Sequence, residues 1–291
     1  MQGFVGAAGV VCARAVVSDY YLGDEAARRF GLLSAVSLLG PILAPAMGAG
    51  LLLVGDWRLI FYVLVGVGVI QAVGALLRVP ETLPIEERQP GALRPTLARM
   101  TDLLSDRPFM AHVVVVTLAI MGFFSYIGGS SFVLEKMYGI SSATYGLIFA
   151  TNAAGMAVAA ALFSRLLVRW SIAFLRLFGL VLSASAAVVL LAVSLVFGSH
   201  PPALALVWVL LACVTAGMGL ILPASTALSQ QAGARAKGTA SALTGGLSFA
   251  CGALVTPITG LFSGTSLVPM TTVMAGFLVL ALVASRAAHP S

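Results

Sequence analysis

Apolar residues fill this chain in long blocks, and the polar ones collect between them. The clearest block runs from Phe30 to Val54 without a single charge. A run of that length crosses the hydrocarbon of a bilayer as one helix. Eight further blocks have the same character: Met1 to Val17, Trp57 to Leu77, Phe109 to Leu134, Tyr138 to Leu167, Ile172 to Phe197, Ala203 to Ser229, Gly238 to Phe262 and Leu267 to Ala284. The pattern therefore predicts about nine helices, three before the long polar segment and six after it. Met1 to Val17 is short for a full span and lacks the basic start and cleavage site of a signal peptide, so it reads as a helix whose start has been cut. Arg14 to Arg29 reads as a charged turn, Gly55-Asp56-Trp57-Arg58 as a tight turn with an interfacial tryptophan, and Gly139 to Ser142 as a loop.

The long polar segment, Arg78 to Arg107, holds five arginines, five acids and four prolines. It is the natural boundary between two membrane halves, which gives residues 1–78, a linker at 79–107, and residues 108–291. Within it, Leu93, Leu97, Met100, Leu103 and Leu104 recur at three- and four-residue spacing. That spacing suggests a short amphipathic helix at the membrane surface, with a plain polar linker as the alternative. Taken as two repeats, the halves are unequal by three helices, and the expectation is an N-terminal truncation or a mis-assigned start.

Composition removes whole classes. Of 291 residues, 60% are hydrophobic and only 9% charged, with a mean hydropathy of +1.05. A soluble domain carries roughly a quarter charged residues. The chain is all-α, a polytopic transmembrane helical bundle. Its net charge of +6 is then a report of orientation rather than a nucleic-acid signal. With Arg78–Arg107 placed in the cytoplasm, every basic residue except Arg58 and Lys136 falls on the cytoplasmic side. Met1 is thus expected outside and the C-terminus inside. Cys12, Cys213 and Cys251 read as small apolar residues, and His112, His200 and His289 have no ligand spacing, so neither metal nor cofactor is expected. There is no nucleotide-binding glycine loop with its lysine and no informative Ser/His/Asp set, which argues against an ATP-driven pump and against an enzyme.

Four places hold candidate functional residues. The stretch Gly40-Pro41-Ile42-Leu43-Ala44-Pro45-Ala46-Met47-Gly48-Ala49-Gly50 puts two prolines and three glycines inside an apolar span. Gly40, Ala44 and Gly48 share one face, where another helix can approach closely. The stretch is either a kinked packing helix or one that bends or rocks. Ser125, Tyr126 and Asn152 are polar groups inside spans. An amide is costly to bury there, and a tyrosine offers an apolar ring with a hydroxyl, so Tyr126 and Asn152 are expected to line a central pocket. Asp19 follows Arg14 by five positions near a helix end, and the simpler reading pairs it with Arg14 or a turn arginine. None of the ten acids lies mid-span, and His112, the one imidazole inside a span, sits near a helix end.

Several of these segments resemble one family. Gln2-Gly3 with Ala13-Arg14-Ala15-Val16-Val17-Ser18-Asp19 is similar to the fourth helix of Bcr/CflA-type drug-resistance transporters of the major facilitator superfamily. Ala44-Pro45-Ala46-Met47-Gly48-Ala49 resembles the antiporter motif of their fifth helix, with Ala49 where a glycine is usual. Asp56-Trp57-Arg58-Leu59-Ile60-Phe61 and Pro80-Glu81-Thr82-Leu83-Pro84 resemble the start and exit of the sixth. Ser125-Tyr126-Ile127 with Phe132-Val133-Leu134 resembles the seventh, and Gly238-Thr239-Ala240-Ser241-Ala242-Leu243 the eleventh. The resemblance implies a twelve-helix fold in two six-helix bundles, of which three helices of the first and all six of the second are expected here. It implies export of drugs or small metabolites in exchange for protons, by a monomer in the bacterial inner membrane. It also implies that Asp19 belongs to a charged latch between cytoplasmic helix ends. The arginine that usually precedes Gln2-Gly3 is absent, and the usual proton-carrying carboxylate belongs to the first helix of the family. An inactive membrane fragment of such a transporter is the alternative reading.

Overall fold

The computed structural model describes residues 2–79, 93–198, 200–262 and 266–287. Ten α-helices follow one another: α1 Gln2–Tyr20, α2 Gly23–Val54, α3 Trp57–Arg78, α4 Leu93–Ser105, α5 Arg107–Tyr138, α6 Ser142–Leu166, α7 Ile172–Phe197, α8 Leu204–Ala232, α9 Lys237–Phe262 and α10 Val268–Ala287. A short 3-10 turn, Ala234–Ala236, joins α8 to α9. Nine of the ten occupy the nine apolar blocks. The tenth, α4, stands where the leucine spacing in the polar segment suggests it. Seven helices among the described residues are long and apolar enough to cross a membrane, from α3 and α5 through α10. At 1.5 Å per residue, α1 and α2 are about 28 and 48 Å long.

Local chemistry sets the boundaries. Asp56, Asp106, Ser141 and Ser171 each accept a backbone N–H of the first turn that follows, at 3.0 to 3.2 Å. Such caps satisfy donors that a helix start leaves orphaned. Gly139, at φ 62°, is left-handed and stops α5. Tyr138 is therefore the last residue of α5 and not the first of the next span. The expected charged turn from Arg14 to Arg29 is corrected more strongly. α1 continues to Tyr20 and α2 starts at Gly23, so only Tyr21 and Leu22 lie between helices. The charges there suit helix ends: Asp24 and Glu25 sit in the first turn of α2, and Glu25 pairs with Arg29 one turn on at 3.0 Å.

Helices α5 to α10 form one bundle, in which α8 packs on α5, α6 and α7, and α10 packs on α5 and α7. Its core is apolar and draws on α5, α6, α7, α8 and α10, with Leu180, Leu190, Leu211, Met218, Met274 and Leu278 fully buried. Apolar burial gives little drive inside lipid, so close backbone approach decides the seams. A Cβ on Gly179 would lie 2.8 Å from the Gly217 carbonyl, and one on Gly217 would lie 2.6 Å from that of Gly179. These two glycines let α7 and α8 touch. α4 docks beneath the bundle through Leu103, which packs with Phe109, Val113, Ala240 and Leu243, while Leu97 and Leu104 stay exposed.

α1 and α2 lean on this bundle at one end. Ala26, Ala27 and Phe30 of α2 are buried with Phe163, Leu167, Ala224 and Ala227. Ser164 donates to the Arg28 carbonyl at 2.8 Å. The same end carries Arg29, Arg107, Arg165, Arg235, Lys237 and Arg286 at helix ends and turns; it is called the basic end below. α3 packs only lightly on α2 and buries none of its residues.

Candidate functional site

Two groups of polar residues stand out, one at the basic end and one deep in the bundle. At the basic end, Asp19 closes α1 and Lys237 opens α9, and their charges meet at 3.2 Å. They are 218 residues apart in sequence. Both side chains are largely enclosed, so the pair is less screened than an open surface bridge. Beside it, Ser18 is buried and donates to the Arg14 carbonyl at 3.1 Å. The buried amide of Gln230 completes the seam. Its nitrogen donates to the Lys237 carbonyl at 3.3 Å and its oxygen accepts from the Ser241 N–H at 3.2 Å. Ser18 Oγ lies 3.4 Å from the same amide. Arg14, half-buried one turn deeper, lies against α9: a Cβ on Gly245 would be 3.6 Å from its Nη1. The residues of α1 singled out from sequence therefore both reach α9.

Deeper in the bundle, Tyr126 of α5 and Asn152 of α6 come together. The Asn152 amide nitrogen donates to the Tyr126 hydroxyl at 3.2 Å, and both residues are fully buried. Aromatic rings extend this contact. Tyr126 stacks on Phe149 at 5.9 Å and tilts against Phe123 at 6.0 Å. Tyr145 follows Phe149 at 6.1 Å, and its hydroxyl bonds Ser130 at 3.0 Å. Asn152 Oδ1 is buried with no protein partner among the described residues. The cluster thus offers π faces and one free polar atom. Ser125, next to Tyr126 in sequence, points a different way. It donates to the Gly122 carbonyl of its own helix at 2.7 Å and lies 3.5 Å from the Met270 carbonyl, in the seam with α10.

The Gly40–Gly50 stretch runs as continuous helix within α2. No heavy atom lies within 4 Å of a Cβ built on Gly40 or Gly48, so their close-approach face meets nothing among the described residues. The side chains of Pro41 and Pro45 lie outside what is described. Two participants were not anticipated. In sequence Lys237 reads as one basic residue of many, although it directly precedes the Gly238–Leu243 motif. Phe149 reads in sequence as one more apolar residue.

The profile of the Major Facilitator Superfamily matches residues 1–257. An uncharacterized MFS-type transporter of Bacillus subtilis, YdgK, is 33% identical over 281 residues, which cover 94% of this chain and 67% of that protein. A bicyclomycin resistance protein homolog of Haemophilus influenzae is 25% identical over 98% of this chain and 70% of its own length. The multidrug resistance protein MdtL of Klebsiella pneumoniae is 28% identical over 153 residues, 53% of this chain and 38% of that protein. The chain thus spans about two thirds of the first two relatives. In fold it is similar to the crystal structure of the human organic anion transporter MFSD10, with a TM-score of 0.71 and 17% identity over 95% of this chain and 67% of that one.

Proposed function

Since the chain belongs to the Major Facilitator Superfamily, we propose that it works as an exporter of drugs or small metabolites driven by proton antiport. The observation that carries this reading is the Asp19–Lys237 pair. It ties α1 to α9, and so the 1–78 region to the 108–291 bundle, at the basic end. An ion pair made in one state and broken in another biases a two-state equilibrium by its differential energy. We assign it as the latch that holds the basic end shut while the opposite end is open. The basic end is cytoplasmic by the positive-inside rule, so α1 begins outside and α10 ends inside. The bilayer is the bacterial inner membrane, and the working unit is a monomer.

Tyr126 and Asn152 are the polar groups we assign to the substrate, while Ser125, turned into the seam with α10, is left out of that group. An apolar cluster with few fixed polar atoms accommodates varied amphiphiles. The relatives named for bicyclomycin and multidrug resistance support a drug as cargo. The proton carrier is not assigned to a described carboxylate, because Asp19, Asp24, Glu25, Asp56, Asp102, Asp106 and Glu135 all lie at or near helix ends.

The test is a charge exchange. Asp19→Lys or Lys237→Asp alone is expected to lower bicyclomycin accumulation in everted vesicles by roughly tenfold, the equivalent of one latch-scale interaction. Combining the two restores the attraction and should recover most of the rate. A double variant as inactive as the singles, or single variants at wild-type rate, rejects the latch.

A further inference from the structure

Arg176 is the largest fully buried side chain among the described residues. It lies one turn inside α7, and its Nη1 meets the His112 ring of α5 at 2.8 Å. A guanidinium has donors and no acceptor, so in this bond His112 Nδ1 accepts. Neither Nε nor Nη2 of Arg176 has a hydrogen-bond partner among the described residues. The ion pairs found among the described residues join Glu25 to Arg29, Asp56 to Arg58, Asp106 to Arg235 and Asp19 to Lys237. Arg176 belongs to none of them. A buried charge without a counter-charge is strongly unfavourable, and a guanidinium cannot escape by losing its proton.

Its surroundings sharpen the sign of what is missing. α8 and α10 each pack on both α5 and α7. The Arg176–His112 bond therefore runs through the space those two helices flank. On them, Ser225 of α8 and Ser285 of α10 are buried, and both hydroxyls lack a protein partner. Counted from the basic ends of their helices, all four residues lie within about 11 Å in depth at 1.5 Å per residue. At this depth the bundle holds one buried cation and two buried hydroxyls without a partner among the described residues, and the cation is in none of the ion pairs found there. On α5 it lies about 21 Å from Tyr126, fourteen residues away at the same rise, so it is a separate site.

We propose that Arg176, with His112 orienting it and Ser225 and Ser285 flanking it, binds a compact anion inside the bundle. The ligand is a halide or a carboxylate, small enough for a layer held between four helices. The planar guanidinium edge formed by Nε and Nη2 suits two parallel hydrogen bonds to a carboxylate, or one halide shared between them.

The experiment uses the full 291-residue chain purified in detergent. Its melting temperature is recorded in sodium chloride, acetate and gluconate at equal ionic strength, since a ligand that binds only the native state raises it. The expected result is a saturable rise in chloride or acetate over gluconate, lost in Arg176→Met, which replaces the charge with an apolar chain of similar length. A rise in chloride alone assigns a free inorganic ion. A rise in acetate that competes with chloride assigns a small free carboxylate, the bulkier gluconate being too large for the layer. Identical melting in all three salts, or a rise that survives Arg176→Met, overturns the site. Should that variant fail to fold, Arg176→Lys keeps the charge but loses the planar edge. It should move the midpoint of the anion titration up by roughly tenfold, and an unmoved midpoint overturns the proposal.

Discussion

Helices α3 and α8 are equally apolar and behave in opposite ways. Their most apolar windows have mean hydropathies of 2.3 and 2.4, yet none of the first is buried and half of the second is. Hydropathy places both in a membrane but does not say which has protein neighbours, because lipid is as apolar as leucine. The difference lies in small and polar residues that are answered by a partner. In α8, Gly217 meets Gly179, and Gly219 abuts the Met156 backbone of α6. Ser183 of α7 donates to the Val214 carbonyl at 2.9 Å. In α3, Gly66, Gly68 and Gly74 have open space where a Cβ would go. The same residue type is a docking surface in one helix and an unused one in the other.

The strongest way to break this comparison is Gly217→Val. Its Cβ would collide with Ser183 Oγ and come within 2.6 Å of a backbone carbonyl, which cannot rotate away. The seam between α7 and α8 must then open, at a cost of about 3 kcal/mol or more. The expected outcome is loss of the monodisperse peak in size-exclusion chromatography after extraction. A variant that extracts and melts like wild type would mean that the close approach of α7 and α8 is not what holds the bundle.

A smaller effect is expected between α5 and α6. Tyr126→Phe removes the hydroxyl that Asn152 addresses, and Asn152→Leu removes the amide. Interhelical hydrogen bonds in membrane proteins couple by about 0.6 kcal/mol on average. A double-mutant cycle on melting in detergent should return a coupling of that order. If these residues also hold the substrate, the singles should change the relative export of two drugs more than they change stability. An unchanged ratio would leave the pair as packing and remove it from the substrate site.

How much of this was legible in the sequence follows the same physics. Length and apolarity locate a span, and the span from Ile172 to Phe197 was readable to the residue. The start of α2 was not, because charged residues read as turn although they also favour helix ends, as Asp24, Glu25 and Arg29 do here. Asp19 and Asn152 could be singled out because a charge or amide in such a chain is costly. Lys237 could not, since it lies 218 residues from Asp19; Tyr126 is singled out together with Asn152, but not the bond that joins them between two helices. Arg176 was counted as one more basic residue near a helix end. Only coordinates turn it inward toward His112, 64 residues away.

The smallest expected effect belongs to α3 and carries the comparison furthest. Gly66→Leu adds a large side chain to the middle of an apolar helix, at a position where nothing lies within 4 Å. A glycine inside a helix costs about 0.5 to 1 kcal/mol relative to alanine, and leucine ranks near alanine. If α3 faces only lipid, the variant should therefore be neutral or slightly more stable, with extraction, melting and export unchanged. The sign is what matters, because the two accounts of α3 differ in it. A glycine that serves close approach fails when a branched side chain replaces it, as at Gly217, whereas one that faces lipid gains. Paired measurements of Gly66→Leu and Gly217→Val on one extraction assay read both signs at once. Destabilisation by Gly66→Leu would show that α3 has a protein neighbour in the membrane and that equal hydropathy did, after all, mean equal burial.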